Sequence, residues 1–206
     1  MSHGSPSVPA DRFGAGLLVG RLVPVRSSLL GTALRVALGV AFLAALAQIR
    51  IQVGPVPITG QTLGVLLIGG AYGATLGVAT TLAYLATGAL GVAVFSGGAA
   101  GAAVLAGPTG GYLLAFPLAA ALVGGLARRG WDRNLGSAAL AMTLGSLLVY
   151  AVGLAWLARF APDLGTTLAW GLWPFLPGDV LKIAFAAAVL PVAWRLLGSG
   201  GSARRR

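Results

Sequence analysis

The sequence predicts an all-α integral membrane protein with six transmembrane helices, and three observations carry that reading. Charged side chains make up 9% of the 206 residues and apolar ones 57%. A soluble domain is about 25% charged, so there is too little charge here to cover a water-facing surface. No Asp, Glu, Lys, Arg or His occurs from Ile51 to Ala127, a stretch long enough for three helices of roughly 20 residues. The basic residues fall at the ends of apolar runs, which is the positive-inside pattern of a multi-pass chain. The hydrophobicity excludes disorder, and the absence of cysteine excludes a disulfide scaffold. A net charge of +10 would suit nucleic acid if the arginines formed a patch with interleaved aromatics, and they do not.

The elements follow in order. Residues 1–28, with Ser, Gly, Pro and scattered Arg, read as a mobile cytoplasmic tail. A cleaved signal peptide fits poorly, because the first apolar run is too long and no cleavage pattern follows it. The first helix spans 29–49, and the prolines Pro55 and Pro57 then impose an extended loop. The second run, 58–70, is short, so it must tilt, be buried in protein, or lie partly outside the hydrocarbon. The third is 71–91 and the fourth 108–127, with breaks at Gly69-Gly70, Ser96-Gly97-Gly98 and Gly107-Pro108. The fifth is 135–157, and the sixth, 177–197, opens on Pro177, a good first-turn residue. Residues 198–206 form a basic tail. Together 29–197 make one membrane domain. Six crossings put Arg12, Arg21, Arg26, Arg128, Arg129, Arg133, Arg195 and Arg204 to Arg206 on one side, with Arg35 just inside the first run. Only Arg50 and Arg159 fall on the other side, so both termini are expected in the cytoplasm.

Small residues recur at helical spacing. Ala33, Ala37, Ala41 and Ala45 place four methyl groups on one face of the first helix, where another helix can approach closely. Either that helix belongs to the same chain or the face is a docking surface for another membrane subunit. Gly69, Gly73 and Gly77 repeat the spacing, by chance or for packing.

Polar groups inside the apolar runs are the candidate functional residues, because burying them in lipid is costly. Asp179 and Lys182, the one lysine in the chain, lie three apart on one face of the last helix, with Asp179 favoured by the helix dipole. Either they neutralise each other at the membrane rim, or they form a site in which Lys182 holds an anionic ligand and Asp179 accepts hydrogen bonds. Gln61, beside Thr59 and Thr62, needs a partner, which a neighbouring helix or a ligand could supply. Tyr84, Phe95, Thr109 and Tyr112 are candidates to line the same cavity, while Trp170 and Trp173 suit an outer aromatic belt. His3 has no assigned role. No metal-ligand cluster and no nucleophile with a base stands out, and the P-loop pattern is absent, so ATP hydrolysis would need a partner.

Several of these residues form a recognisable series. Val56-Pro57-Ile58-Thr59 with Gln61-Thr62-Leu63 resembles the signature of the BioY family, biotin-binding membrane subunits (S components) of energy-coupling factor (ECF) transporters. The likeness continues through Ala83-Tyr84-Leu85, Gly88-Ala89-Leu90-Gly91, Val94-Phe95-Ser96-Gly97-Gly98 and Gly107-Pro108-Thr109-Gly110-Gly111-Tyr112. It ends at Pro177-Gly178-Asp179-Val180-Leu181-Lys182, similar to the family's PGDxxK. Gly60 departs from a usual bulkier apolar residue, and Ala93 from a frequent proline, both in loops. The resemblance implies an S-component-like six-helix bundle in a bacterial plasma membrane, with biotin as transported ligand, no cofactor and no enzymatic activity. It implies that the Pro55, Pro57 and Thr59 loop is a lid, that Asp179 and Lys182 meet the vitamin, and that Ala33, Ala37, Ala41 and Ala45 contact a coupling subunit served by two ATPases.

Biotin's chemistry suits these residues. Its carboxylate calls for a cation, its ureido N–H groups for acceptors, and its ring and tail for an apolar wall. The expected assignment is Lys182 on the carboxylate and Asp179 on the ureido group, with Gln61 and Tyr84 as further polar contacts and Phe95 and Tyr112 as wall. Alternatives are an S component for another vitamin, a passive channel, and an intramembrane enzyme, which would need a second acid or base facing Asp179.

Overall fold

The computed structural model describes residues 18–22 and 29–199. His3, the basic C-terminal tail beyond Ser199, and the N-terminal tail apart from Leu18–Leu22 lie outside the described residues. The chain runs through α1 (Leu18–Leu22), α2 (Leu29–Gln48), a two-stranded hairpin of β1 (Arg50–Ile51) and β2 (Ile58–Thr59), and α3 (Gln61–Ala89). It continues through α4 (Ala102–Ala106), α5 (Gly110–Arg128), α6 (Leu135–Leu157), α7 (Leu164–Gly171) and α8 (Leu176–Ser199). Among the described residues five helices, α2, α3, α5, α6 and α8, are long and apolar enough to cross a membrane.

The second and third expected runs form the single element α3, interrupted at Gly73, whose φ of 73° and ψ of 176° leave helical geometry. A positive φ is readily adopted only by glycine, so the chain can reverse here. Two contacts show that it does. A Cβ at Gly77 would lie 3.5 Å from the Gly69 Cα, and the Gln61 Nε2 donates to the Tyr84 hydroxyl at 2.7 Å. In one straight helix residues 61 and 84 would stand about 35 Å apart. The element is therefore an antiparallel hairpin with limbs at 61–72 and 74–89. The expected break at Gly69-Gly70 is corrected to Gly73, because Gly69 and Gly70 stay helical and admit Ala120 and Leu190 instead. The Gly69 and Gly77 pair is packing, since the same Ala120 abuts both.

The second run is also shortened at its start. Ile58 and Thr59 do not enter the helix but pair with Ile51 and Arg50 in antiparallel register, so the Pro55 and Pro57 segment forms the tip of a hairpin. Leu18 and Val19, expected in a mobile tail, are fully buried, with Leu18 packed among Leu66, Met142 and Leu190. Apolar side chains there find a groove between α3 and α8. Besides α1, two short helices were not expected. In α7 the Asp163 side chain accepts from the Thr166 backbone N–H at 2.7 Å, the signature of an N-cap. The other, α4, is a single turn before α5.

The core packs α5 against both α3 and α6, while α2 and α8 leave most of their surface outward. The four alanines Ala33, Ala37, Ala41 and Ala45 all face outward on α2, whereas Gly31, Arg35, Gly39, Leu43 and Ala47 face the bundle. The two ends of the bundle differ in chemistry. One end carries the α3 turn, where Arg128 donates to Thr75 at 2.7 Å, and the Asp132 to Trp194 contact at 2.5 Å. The other gathers the β hairpin, the 90–109 connection, α7 and the start of α8.

Candidate ligand-binding site

At that second end lies a cavity of about 260 Å³, close to the lower limit of small-molecule sites at roughly 300 Å³. Its walls come from chain segments more than 120 residues apart, among them the β hairpin, the tops of α3, α5 and α6, and the start of α8.

Asp179 enters from the first turn of α8 and is buried. Its Oδ1 accepts from the Lys182 Nζ at 2.8 Å, and its Oδ2 accepts from the Tyr150 hydroxyl of α6. The Lys182 ammonium also donates to Thr62 Oγ1 at 3.0 Å. Asp179, Tyr150 and Thr62 line the cavity, whereas Lys182 is not among the lining residues and reaches it through Asp179 and Thr62. The pair is thus a buried carboxylate held by two donors. Both partners are needed, since a lone charge in such a place is costly.

Gln61 opens α3 and is buried in the lining. Its Nε2 donates to the Tyr84 hydroxyl at 2.7 Å, and that hydroxyl donates to the Val94 carbonyl at 2.8 Å. Thr59 Oγ1 donates to Gln61 Oε1 at 3.0 Å. Tyr84 lies behind Gln61, fully buried and outside the lining. The wall is aromatic. Phe95 meets the Tyr84 ring edge-on at 5.5 Å, and Tyr112 stacks on Phe175 at 6.4 Å. The Tyr112 hydroxyl donates to the Gly171 carbonyl at 2.9 Å, leaving its ring as wall. Pro55, Pro57 and Thr59 cover one side, and Trp170, expected in an outer belt, packs near the hairpin tip at Gly54. Trp173 is exposed, as a belt residue is.

Several lining residues escaped sequence reasoning, among them Arg50, Ser96, Ser146 and Tyr150. Arg50 follows α2 and brings a guanidinium to the cavity; a Cβ at Gly97 would lie 2.2 Å from its Nη1. Gly97 has φ of 70°, so glycine serves there both the turn and the arginine. Gln48 holds that turn to the end of α2, donating to the Phe95 carbonyl at 3.3 Å and accepting from the Gly98 N–H at 3.1 Å. The Ser96 hydroxyl oxygen, on the same turn, is buried without a protein partner and lies in the lining. A buried polar atom of this kind is normally satisfied by something, and a ligand is the natural donor or acceptor. In the sequence Arg50 enters only as a topology marker, although it borders the charge-free stretch immediately before the Pro55 and Pro57 loop. Ser146 and Tyr150, four apart on one face of α6, were the legible signal for the remaining pair. Among the described residues no group of three or more His, Cys, Asp and Glu could hold a metal.

A helical bundle with apolar outer surfaces and a mixed-polarity cavity enclosed at one end defines a membrane-embedded solute-binding protein. Comparison with known proteins narrows the class. The model of the BioY family matches residues 21–199, and the chain belongs to that family. A probable biotin transporter BioY of Pyrococcus horikoshii is 41% identical over 164 residues, covering 80% of this chain and 94% of its own. The biotin transporter BioY of Thermotoga maritima is 35% identical over 151 residues, covering 69% and 83%. The crystal structure of the S-component for biotin from an ECF-type ABC transporter superposes with a TM-score of 0.73 at 30% identity, covering 81% of this chain and 92% of that one.

Proposed function

We propose that this protein captures biotin at the outer face of the membrane and delivers it inward as the S component of an ECF transporter. It is a binding and transport protein, not an enzyme. The observation that carries the reading is the cavity's polar arrangement: a buried carboxylate bonded to Lys182 and Tyr150, and a separate cation, Arg50, in the same lining. Biotin has the complementary parts. In this reading Asp179 accepts a ureido N–H, the aromatic wall of Phe95, Tyr112 and Phe175 holds the ring and tail, and Arg50 with Ser96 meets the carboxylate. Lys182, expected at the carboxylate, acts instead through Asp179 as its counter-ion. The hairpin tip at 52–57 is the lid.

In this reading each limb of the α3 hairpin counts as a crossing, six in all, with the limb 61–72 about 18 Å long and the limb 74–89 about 24 Å. Short limbs are tolerated because they are packed within protein. Both termini lie in the cytoplasm, on the arginine-rich side. The outward alanine face of α2 takes the coupling subunit, and two ATPases supply the energy that this chain, lacking a P-loop, does not.

The test is retention of tritiated biotin by purified protein, beside a panel of thiamine, biotin amide and biotin. Selective retention of biotin is expected. No retention by the wild type, or a preference for the cationic vitamin, overturns the reading. Replacing Ala37 and Ala41 by Leu is expected to leave biotin retention intact and to abolish capture of the coupling subunit; retained capture refutes the docking face.

A further inference from the structure

We propose that Tyr84 is a positioning residue that fixes the Gln61 amide with its carbonyl oxygen toward the ligand, so that this wall selects an N–H donor. The proposal rests on the biotin reading and extends it to specificity.

The argument follows the protons. The Val94 carbonyl accepts and cannot donate, so the Tyr84 hydroxyl, 2.8 Å away, gives its single proton there. The Tyr84 oxygen is then an acceptor, and the group 2.7 Å from it on Gln61 must be the NH₂. At the other end the Gln61 backbone N–H donates to Thr59 Oγ1 at 3.3 Å. The Thr59 proton is thereby left for Gln61 Oε1 at 3.0 Å. Both hydroxyl protons in this chain have acceptors, one amide N–H goes to Tyr84, and the direction runs one way. Turning the amide over would set its oxygen against a hydroxyl whose proton is already committed to Val94, and a buried acceptor would go unpaired. Orientations of an amide are assigned from such networks, and here the network permits one.

The NH₂ end thus faces Tyr84, which is fully buried and outside the lining. The carbonyl end lies toward Thr59, which is in the lining together with Gln61 itself. A carbonyl oxygen has two lone pairs, and Thr59 uses one. The second is available to a ligand N–H. With the Asp179 carboxylate the cavity then offers two acceptors, matching the two N–H groups of a cyclic urea. Tyr84 touches no ligand and acts through Gln61.

The experiment compares binding of biotin and of its two ureido N-methylated analogues to the full-length protein in detergent. Wild type is expected to prefer biotin over one or both analogues by about tenfold or more, the scale of one unpaired buried group. In Tyr84→Phe the amide is no longer fixed, and this preference shrinks severalfold. In Gln61→Met the preference is already reduced, and adding Tyr84→Phe changes it no further. Gln61→Met keeps a second readout should Tyr84→Phe fold poorly: a preference equal to wild type in that variant overturns the assignment. Equal loss of affinity for all three ligands in Tyr84→Phe means a purely structural role and overturns the assignment. Wild type that retains no biotin instead overturns the functional reading and this assignment together.

Discussion

Replacing Asp179 by Asn separates what the buried pair does for the ligand from what it does for the fold. The Asp179 and Lys182 side chains are 10% and 15% exposed, with Oδ1 and Nζ 2.8 Å apart. In Asp179→Asn the new amide can still accept from Tyr150, but Lys182 is left with Thr62 Oγ1 at 3.0 Å as its remaining partner. Removing one member of a buried pair costs about 3–5 kcal/mol. With Thr62 retained, a loss of about 2–3 kcal/mol is expected. Adding Lys182→Met removes the stranded charge, so the double variant should recover most of that stability. Binding should not follow. A ligand N–H that met a carboxylate now meets a neutral carbonyl, and the difference between charged and neutral hydrogen bonds is about 1–1.5 kcal/mol, or roughly tenfold in affinity. That loss should appear in the single and the double variant alike. Thermal unfolding in detergent and tritiated-biotin binding measure the two effects separately. Recovery of affinity along with stability in the double variant would refute a direct role for Asp179. An unchanged melting temperature in the single variant would refute the buried pair.

Three further predictions concern other parts of the molecule. Arg50→Met should weaken biotin about tenfold to a hundredfold, the scale of a charge-assisted hydrogen bond, while binding of biotin amide stays near its wild-type value; equal losses for both ligands count against a carboxylate contact. Gly124→Ala places a methyl 2.2 Å from the Ala74 nitrogen and 2.3 Å from the Gly73 carbonyl carbon. Backbone cannot give way cheaply, so stability should fall by about 1–3 kcal/mol, whereas Gly125→Ala, with nothing within 4 Å, should melt like wild type. Asp132, in the turn between α5 and α6, is buried with Oδ1 unpartnered, and burial raises its carboxyl above the ordinary value despite the opposing Trp194 hydrogen bond. A raised pKa means that its stabilising contribution is complete below the unfolded value of about 3.9 and is lost as pH rises through the folded value. Asp132→Asn should therefore flatten the melting profile across mildly acidic pH and match or exceed wild type at neutral pH; a variant less stable at pH 7 with an unaltered profile shows that the ionised form is the one the fold favours.

Much of the site was visible along the chain. Asp179, Gln61, Phe95 and Tyr112 stand out as polar or aromatic interruptions of apolar runs, and all four line the cavity. The extended Pro55 and Pro57 loop was legible because proline restricts its own φ and its neighbour's conformation. Tyr84 and Lys182 were found but stand one layer back, at Gln61 and at Asp179. Their sequence environment gives no hint of this, since spacing fixes which helix face a residue occupies and not what the next helix puts there. The fold shows the same limit. Apolar run length set the positions of α2, α5, α6 and α8 to within a few residues, but two adjacent glycines at 69 and 70 looked like a better break than the single Gly73. Only packing against Ala120 and Leu190 reveals why that pair stays helical.

Composition alone determined the solvent: with 9% charged residues and none from Ile51 to Ala127, burial in lipid is the one way to satisfy so much apolar surface. The order of apolar runs likewise determined most of the long elements. The tertiary structure decided which atoms of the polar residues face the cavity. That depends on helix rotation and on partners far apart in the chain, such as Thr62 with Lys182 and Tyr150 with Asp179. Hydrophobicity is a property of each residue and survives in the sequence, whereas the direction of a hydrogen bond belongs to a pair and exists once both members have been brought together.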